Sequence, residues 1–145
     1  MNLFGMLQLS GSALTAERQR AEIVTANMAN AETTRTPQGG PYRRKLAVFK
    51  SEEQLRFPHL LLAGWRGTNL PGVKVEQVVE DTTPPEMRFD PGHPDANAEG
   101  FVAYPNINPV NEMVDLMGAV RAYEMNSTAV QATKQMIQQS IDLLR

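Results

Sequence analysis

Apolar residues return at helical spacing near both ends of this chain and lose that spacing in between. At the N-terminal end Leu7, Leu14, Ala21 and Met28 recur every seven residues, flanked by Ala13, Val24 and Ala31, and no proline interrupts the first thirty residues. This spacing predicts an amphipathic helix with Glu17, Arg18, Gln19, Arg20 and Glu22 on its polar face, ending near Asn30 ahead of Thr33, Thr34 and Pro37. Ser10, Gly11 and Ser12 weaken its early turns. Beyond Pro109, the positions Met113, Leu116, Val120, Tyr123, Ser127, Val130, Lys134, Ile137, Ile141 and Leu144 alternate spacings of three and four. This is a heptad pattern sustained over several repeats, and it predicts a second helix from about residue 111 to 145.

The middle reads differently. All ten prolines fall between residues 37 and 109, which excludes long helices there. Tyr42 to Phe49 and Val73 to Val79 carry the β-branched and aromatic content of half-buried strands, and Met87 to Phe89 and Phe101 to Tyr104 add two shorter ones. Leu55 to Leu70, with Pro58, Gly64, the single Trp65 and Gly67, reads as an inserted hairpin or loop.

The lengths do not match, and the mismatch shapes the whole reading. A C-terminal helix of this length spans on the order of 50 Å, too long for a short strand-rich middle to cover. An amphipathic face needs a partner, because packing supplies most helix stability. Within the chain only the N-terminal helix, roughly 40 Å long, can serve. Two helices bury one seam each, which leaves Met117, Ala119, Met125, Ala129, Ala132 and Met136 to widen the stripe toward other subunits.

Composition narrows the function classes. Fourteen Lys plus Arg against sixteen Asp plus Glu give a formal net charge of -2, without the basic surface of a nucleic-acid binder. The one basic cluster, Arg43, Arg44 and Lys45, reads as a solvated strand face. There is no cysteine, which removes disulfides, thiolate metal sites and thiol nucleophiles together. No segment reaches the ~20 apolar residues of a membrane span. Met1 to Leu9 is apolar but lacks the basic start and small-residue cleavage pattern of a secretory signal.

Candidate chemistry is sparse. The turn Asp90, Pro91, Gly92, His93, Pro94, Asp95, with Glu99 downstream, is the one polar constellation around a histidine, and it matches no zinc or calcium ligand spacing. Rigid prolines with solvent-facing acids explain it as a turn. No serine sits in a strand-to-helix elbow, and no glycine-rich run ends in the lysine of a phosphate loop. Neither a catalytic site nor a cofactor site is expected.

Several stretches together resemble the axial proteins of the bacterial flagellum, the rod and hook family. They are Ser10 to Leu14, Arg18 to Arg20, and Asn27-Met-Ala-Asn30-Ala31 with Thr33. Further along come Pro41 to Arg44, Gly72 to Val75, Asp90 to Pro94, Gly100 to Val102, Pro105 to Asn108, Glu112 to Met117, Ala119 to Asn126 and Lys134 to Met136. The Pro-Gly-His-Pro turn and the Pro-Asn-Ile-Asn lead into the last helix look like those of a proximal-rod subunit, and the resemblance runs from about residue 10 to 140. Leu55 to Leu70 aligns with no motif.

The resemblance implies a structural subunit of the basal-body rod that crosses the periplasm, exported through the flagellar apparatus without a cleaved signal peptide. The partners it implies are other proximal and distal rod proteins, the adaptor between rod and membrane ring, and the export apparatus. The combined expectation is an α+β protein. Residues 1–35 and 107–145 pair as an antiparallel coiled coil, with a small β-rich insertion, 36–106, between them. Leu14, Val24, Met28, Met113, Leu116, Val120, Tyr123, Val130, Ile137 and Ile141 are expected to carry the seam and the assembly interface. Asn27, Asn30, Asn106 and Asn126 are expected to cap helices or bond between subunits. Two other readings stand beside this one: a metal-dependent module on His93, Asp90, Asp95 and Glu99, and a coiled-coil adaptor outside any flagellum.

Overall fold

The computed structural model describes residues 3–51 and 72–143. Leu55 to Leu70, read above as an insertion, lies outside the described residues. Two long helices flank four strands in the order α1 (Leu3–Ala29), β1 (Lys45–Ser51), β2 (Val73–Glu80), β3 (Glu86–Phe89), β4 (Phe101–Tyr104) and α2 (Pro109–Asp142). The α+β class expected from the pattern is the one observed.

Local chemistry explains where the helices begin and end. At the end of α1 the Asn30 backbone N–H and side-chain amide both donate to the Ala26 carbonyl, at 3.1 and 2.8 Å, so Asn30 closes the last turn. α2 opens at Pro109, whose fixed φ and missing N–H suit a first helical position. Asn108 precedes it as the N-cap, its Oδ1 accepting from the Val110 N–H at 2.9 Å.

β1 pairs with β2, and β3 pairs antiparallel with β4. In the second ladder Glu86 faces Tyr104 and Phe89 faces Phe101. The Phe89 and Phe101 rings meet edge to face at 5.4 Å, and the Arg88 guanidinium lies 4.5 Å over the Tyr104 ring, both contacts of the kind that pin a register. The connecting loop closes at Gly100, where φ is +82° and a Cβ would stand 2.9 Å from the Phe89 ring. Only glycine fits that position without displacement.

The contacts gather into two compact units. One holds α1 up to Gln19, Phe49–Ser51, Val73–Glu76 and α2 from Ala119 onward. Here Ala16, Ala119 and Thr133 are buried, small side chains that allow close helix approach. The Ser12 hydroxyl accepts from the Val73 N–H at 3.1 Å. The other unit holds Arg20–Val48 and Gln77–Gly118. Its interior includes Val24, Val102, Asn27 and Glu112, and it contains the site described next.

Candidate assembly site

The second unit is built around a buried polar junction. Asn27 on α1 is 1% exposed, yet every hydrogen-bonding position of its amide is filled. Its Nδ2 donates to the Lys45 carbonyl at 2.8 Å and to Glu112 Oε2 at 3.0 Å. Its Oδ1 accepts from the Lys45 N–H at 2.9 Å and from the Tyr42 hydroxyl at 3.2 Å. The side chain therefore pairs with the first residue of β1 much as a neighbouring strand would.

Glu112, on the first turn of α2, is also 1% exposed. Arg44 closes on its Oε1 through both Nε and Nη2, each at 2.6 Å, and extends Nη2 to Asp115 Oδ2 at 3.4 Å. Arg20 reaches Asp115 Oδ1 at 3.6 Å. Two arginines thus balance two carboxylates, as burial of charge requires. Lone removal of one member of such a pair costs about 3–5 kcal/mol, whereas a well-packed apolar replacement of the set is often neutral. Burial, followed by the nearby charges of Glu80 and Glu112, raises the Tyr42 hydroxyl above its ordinary 10.0, in keeping with its role as a proton donor to Asn27.

Moving from Arg20 to Asn27 on α1 corresponds to moving from Asp115 back to Glu112 on α2. The helices of this unit therefore run antiparallel, with β1 joined to both at the junction.

Several expectations are corrected by this geometry. Arg44 is not on a solvated strand face; it is half-buried and holds two carboxylates. Asn27 neither caps a helix nor presents its amide outward. The seam on α2 is rotated from the expected one: the buried column is Glu112, Ala119 and Thr133, one residue before Met113, Val120 and Lys134. Met113 is 52% exposed, Val120 45%, and Tyr123 and Ile141 are exposed as well. Leu116, Val130 and Ile137 are half-buried, as are Leu14 and Met28 on α1, and Val24 is buried. Asn126 donates to the Ala122 carbonyl of its own helix at 2.9 Å, and Asn106 is exposed.

Opposite the junction, α2 presents an open apolar stripe. Val110, Met113, Val114, Met117 and Val120 are all exposed and recur at helical spacing on one side. Sequence reasoning missed Arg44, Glu112 and Asp115 because ion pairs between distant segments leave no local pattern. The Asn108 cap was missed too, although Asn followed by Pro is a helix-start signal that could have found it.

The histidine turn is occupied with its own geometry. His93 Nδ1 accepts from the Asp95 N–H at 3.1 Å, Asp90 Oδ1 accepts from the Gly92 N–H at 3.2 Å, and Asp95 accepts from the Thr34 hydroxyl at 2.8 Å. Among the described residues no three metal-binding side chains converge, and no helix is long and apolar enough to cross a membrane.

Comparison with known proteins agrees with this picture at both ends of the chain. Residues 7–35 match the family model described as flagella basal body rod protein, and residues 98–143 match that described as flagellar basal body rod FlgEFG protein C-terminal. Helical arms with an open apolar stripe, joined to these two matches, define a structural subunit of the flagellar basal-body rod. The flagellar basal-body rod protein FlgC of Bacillus subtilis is 42% identical, with 99% of each chain covered. That of Borreliella burgdorferi is 36% identical over 100% of this chain and 99% of its own, and that of Escherichia coli O157:H7 is 36% identical over 99% and 98%. The chain belongs to the FlgC family of flagellar basal-body rod proteins.

Proposed function

We propose that this subunit sits in the proximal rod and transmits torque by packing its terminal helices, residues 1–35 and 107–145, into an inner layer of coiled-coil character. Residues 36–106 form a β-rich outer element around it. The observation that carries this reading is the stripe of Val110, Met113, Val114, Met117 and Val120, exposed on a helix whose opposite side is already satisfied. An apolar surface of that kind belongs in an interface. Subunits that meet through unlike surfaces stack without closing, which produces a helical tube. Its neighbours in this reading are other proximal and distal rod proteins and the adaptor that joins rod to membrane ring. The subunit reaches its place across the periplasm through the flagellum's own export apparatus, without a cleaved signal peptide. Leu14, Met28, Leu116, Tyr123, Asn126, Val130, Ile137 and Ile141 share the assembly contacts with the stripe, and Val24, Asn27 and Asn30 support them from within the chain.

The test is Val120→Asp, which places a charge on the stripe and leaves the junction untouched. The variant is expected to fold with native helicity and to yield neither basal-body rods nor motility. Normal rods and swimming would remove the stripe from the interface.

A further inference from the structure

Two sides of α2 compete for the inward position. Around its first turns the side of α2 that carries Val110, Met113, Val114 and Met117 is more apolar than the side that carries Glu112, Asp115, Leu116 and Ala119, so burial of apolar area alone favours the first. The structure turns the second inward: Glu112 and Ala119 are each 1% exposed, and all four apolar members of the first are exposed. Something other than hydrophobic burial chooses the rotation.

The junction is what differs between the two arrangements. Glu112 meets Asn27 and Arg44 only when α2 presents this side. A turn by one residue, about 100°, withdraws the carboxylate from both partners. Asn27 Nδ2 would then keep only the Lys45 carbonyl and the Arg44 guanidinium would lose its closest acceptor, in a place with little access to water, a loss that outweighs a few buried methyl groups. Buried polar groups are known to select one alignment among several apolar ones.

We propose that the Asn27, Arg44 and Glu112 junction sets the rotation of α2 about its own axis and so keeps the apolar stripe turned outward. The role of that stripe rests on the assembly reading above; the choice of rotation does not. The device is conformational: it holds back the more apolar side of a helix from the chain's own core and leaves it free for a neighbour. The coupling also runs through β1, because the backbone of Lys45 bonds to the same Asn27 amide. The β element and the helix rotation are therefore set together.

The chain has no native cysteine, so a single introduced thiol reports the facing of α2 cleanly. Maleimide labelling would be compared for Met113→Cys and Ala119→Cys, each in the otherwise native full chain and in the apolar triple variant Asn27→Leu, Arg44→Met, Glu112→Leu. In the native background Met113→Cys should label at least about tenfold faster than Ala119→Cys, as its exposure requires. In the triple variant helicity by circular dichroism should persist and the order of rates should invert. An unchanged order overturns the proposal, because the rotation would then be chosen by packing alone. Loss of helicity in the triple variant overturns it too, since the junction would then hold the helices together rather than choose between their faces. Val120→Asp in the junction-intact chain judges the assembly reading separately: normal rods there, alongside inversion in the triple variant, would reject the interface and retain the rotation device.

Discussion

Tyr42 shows how one hydroxyl reports on a buried network. Its proton is donated to Asn27 Oδ1, and burial together with Glu80 and Glu112 raises its affinity for that proton. A group whose folded-state value lies above its unfolded value contributes stability fully below the unfolded value, here 10.0, and loses it as pH rises through the folded one. The stability of the native chain should therefore fall more steeply than that of Tyr42→Phe as pH rises above 10.0. At neutral pH the variant should be less stable by about 1 kcal/mol, the net worth of a typical hydrogen bond. Denaturant midpoints measured across that range check both statements, and parallel pH profiles would show that Tyr42 does not feel the junction. Asn27 was visible in the sequence as a polar residue near a helix end. Its actual role depends on Lys45 and Glu112, which no spacing rule places beside it.

At the scale of elements, two glycines make opposite forecasts. Gly100 closes the β3–β4 loop at φ +82° with the Phe89 ring against it, whereas Gly118 lies within α2 with open space around it. Gly100→Ala should destabilise by at least about 1–2 kcal/mol from backbone conformation alone, before the clash with Phe89 is counted. Gly118→Ala should stabilise by about 0.5–1 kcal/mol through helix propensity. Urea midpoints that shift the same way for both substitutions would contradict this account of the backbone. Element positions were readable in advance because the punctuation is strong: Pro109 opens α2 two residues before the expected start, and Asn30 ends α1 where the pattern placed its end. The first strand begins at Lys45 rather than Tyr42. The three residues before it serve other ends, with Tyr42 and Arg44 turned into the junction.

For the whole molecule, order should be graded rather than uniform. The junction fastens the middle of the chain to both helices, while Phe4 near one helix terminus and Ile141 and Leu143 near the other are exposed. Few buried contacts mean local opening at low free energy. Hydrogen exchange on the purified subunit should accordingly find residues 20–29 and 109–118 protected and the outer turns of α1 and α2 fast. In isolated basal bodies those outer turns should slow by at least about tenfold as neighbours cover them. Equal protection in both samples would mean that assembly orders nothing, and that the helical ends are complete without neighbours.

The sequence by itself determined the two helices, their boundaries, the strand-rich middle and the need for a partner along an apolar seam, because these depend on periodicity and on proline, which act locally. It also carried the family resemblance, spread over motifs along most of the chain. The facing of α2 was decided only by tertiary structure. A periodicity argument assigns the most apolar side to the inside, which holds for a protein that buries its own core. Here a carboxylate, an amide and a guanidinium from three distant segments find one another, and the cost of parting them exceeds the gain from burying Met113 and Val120.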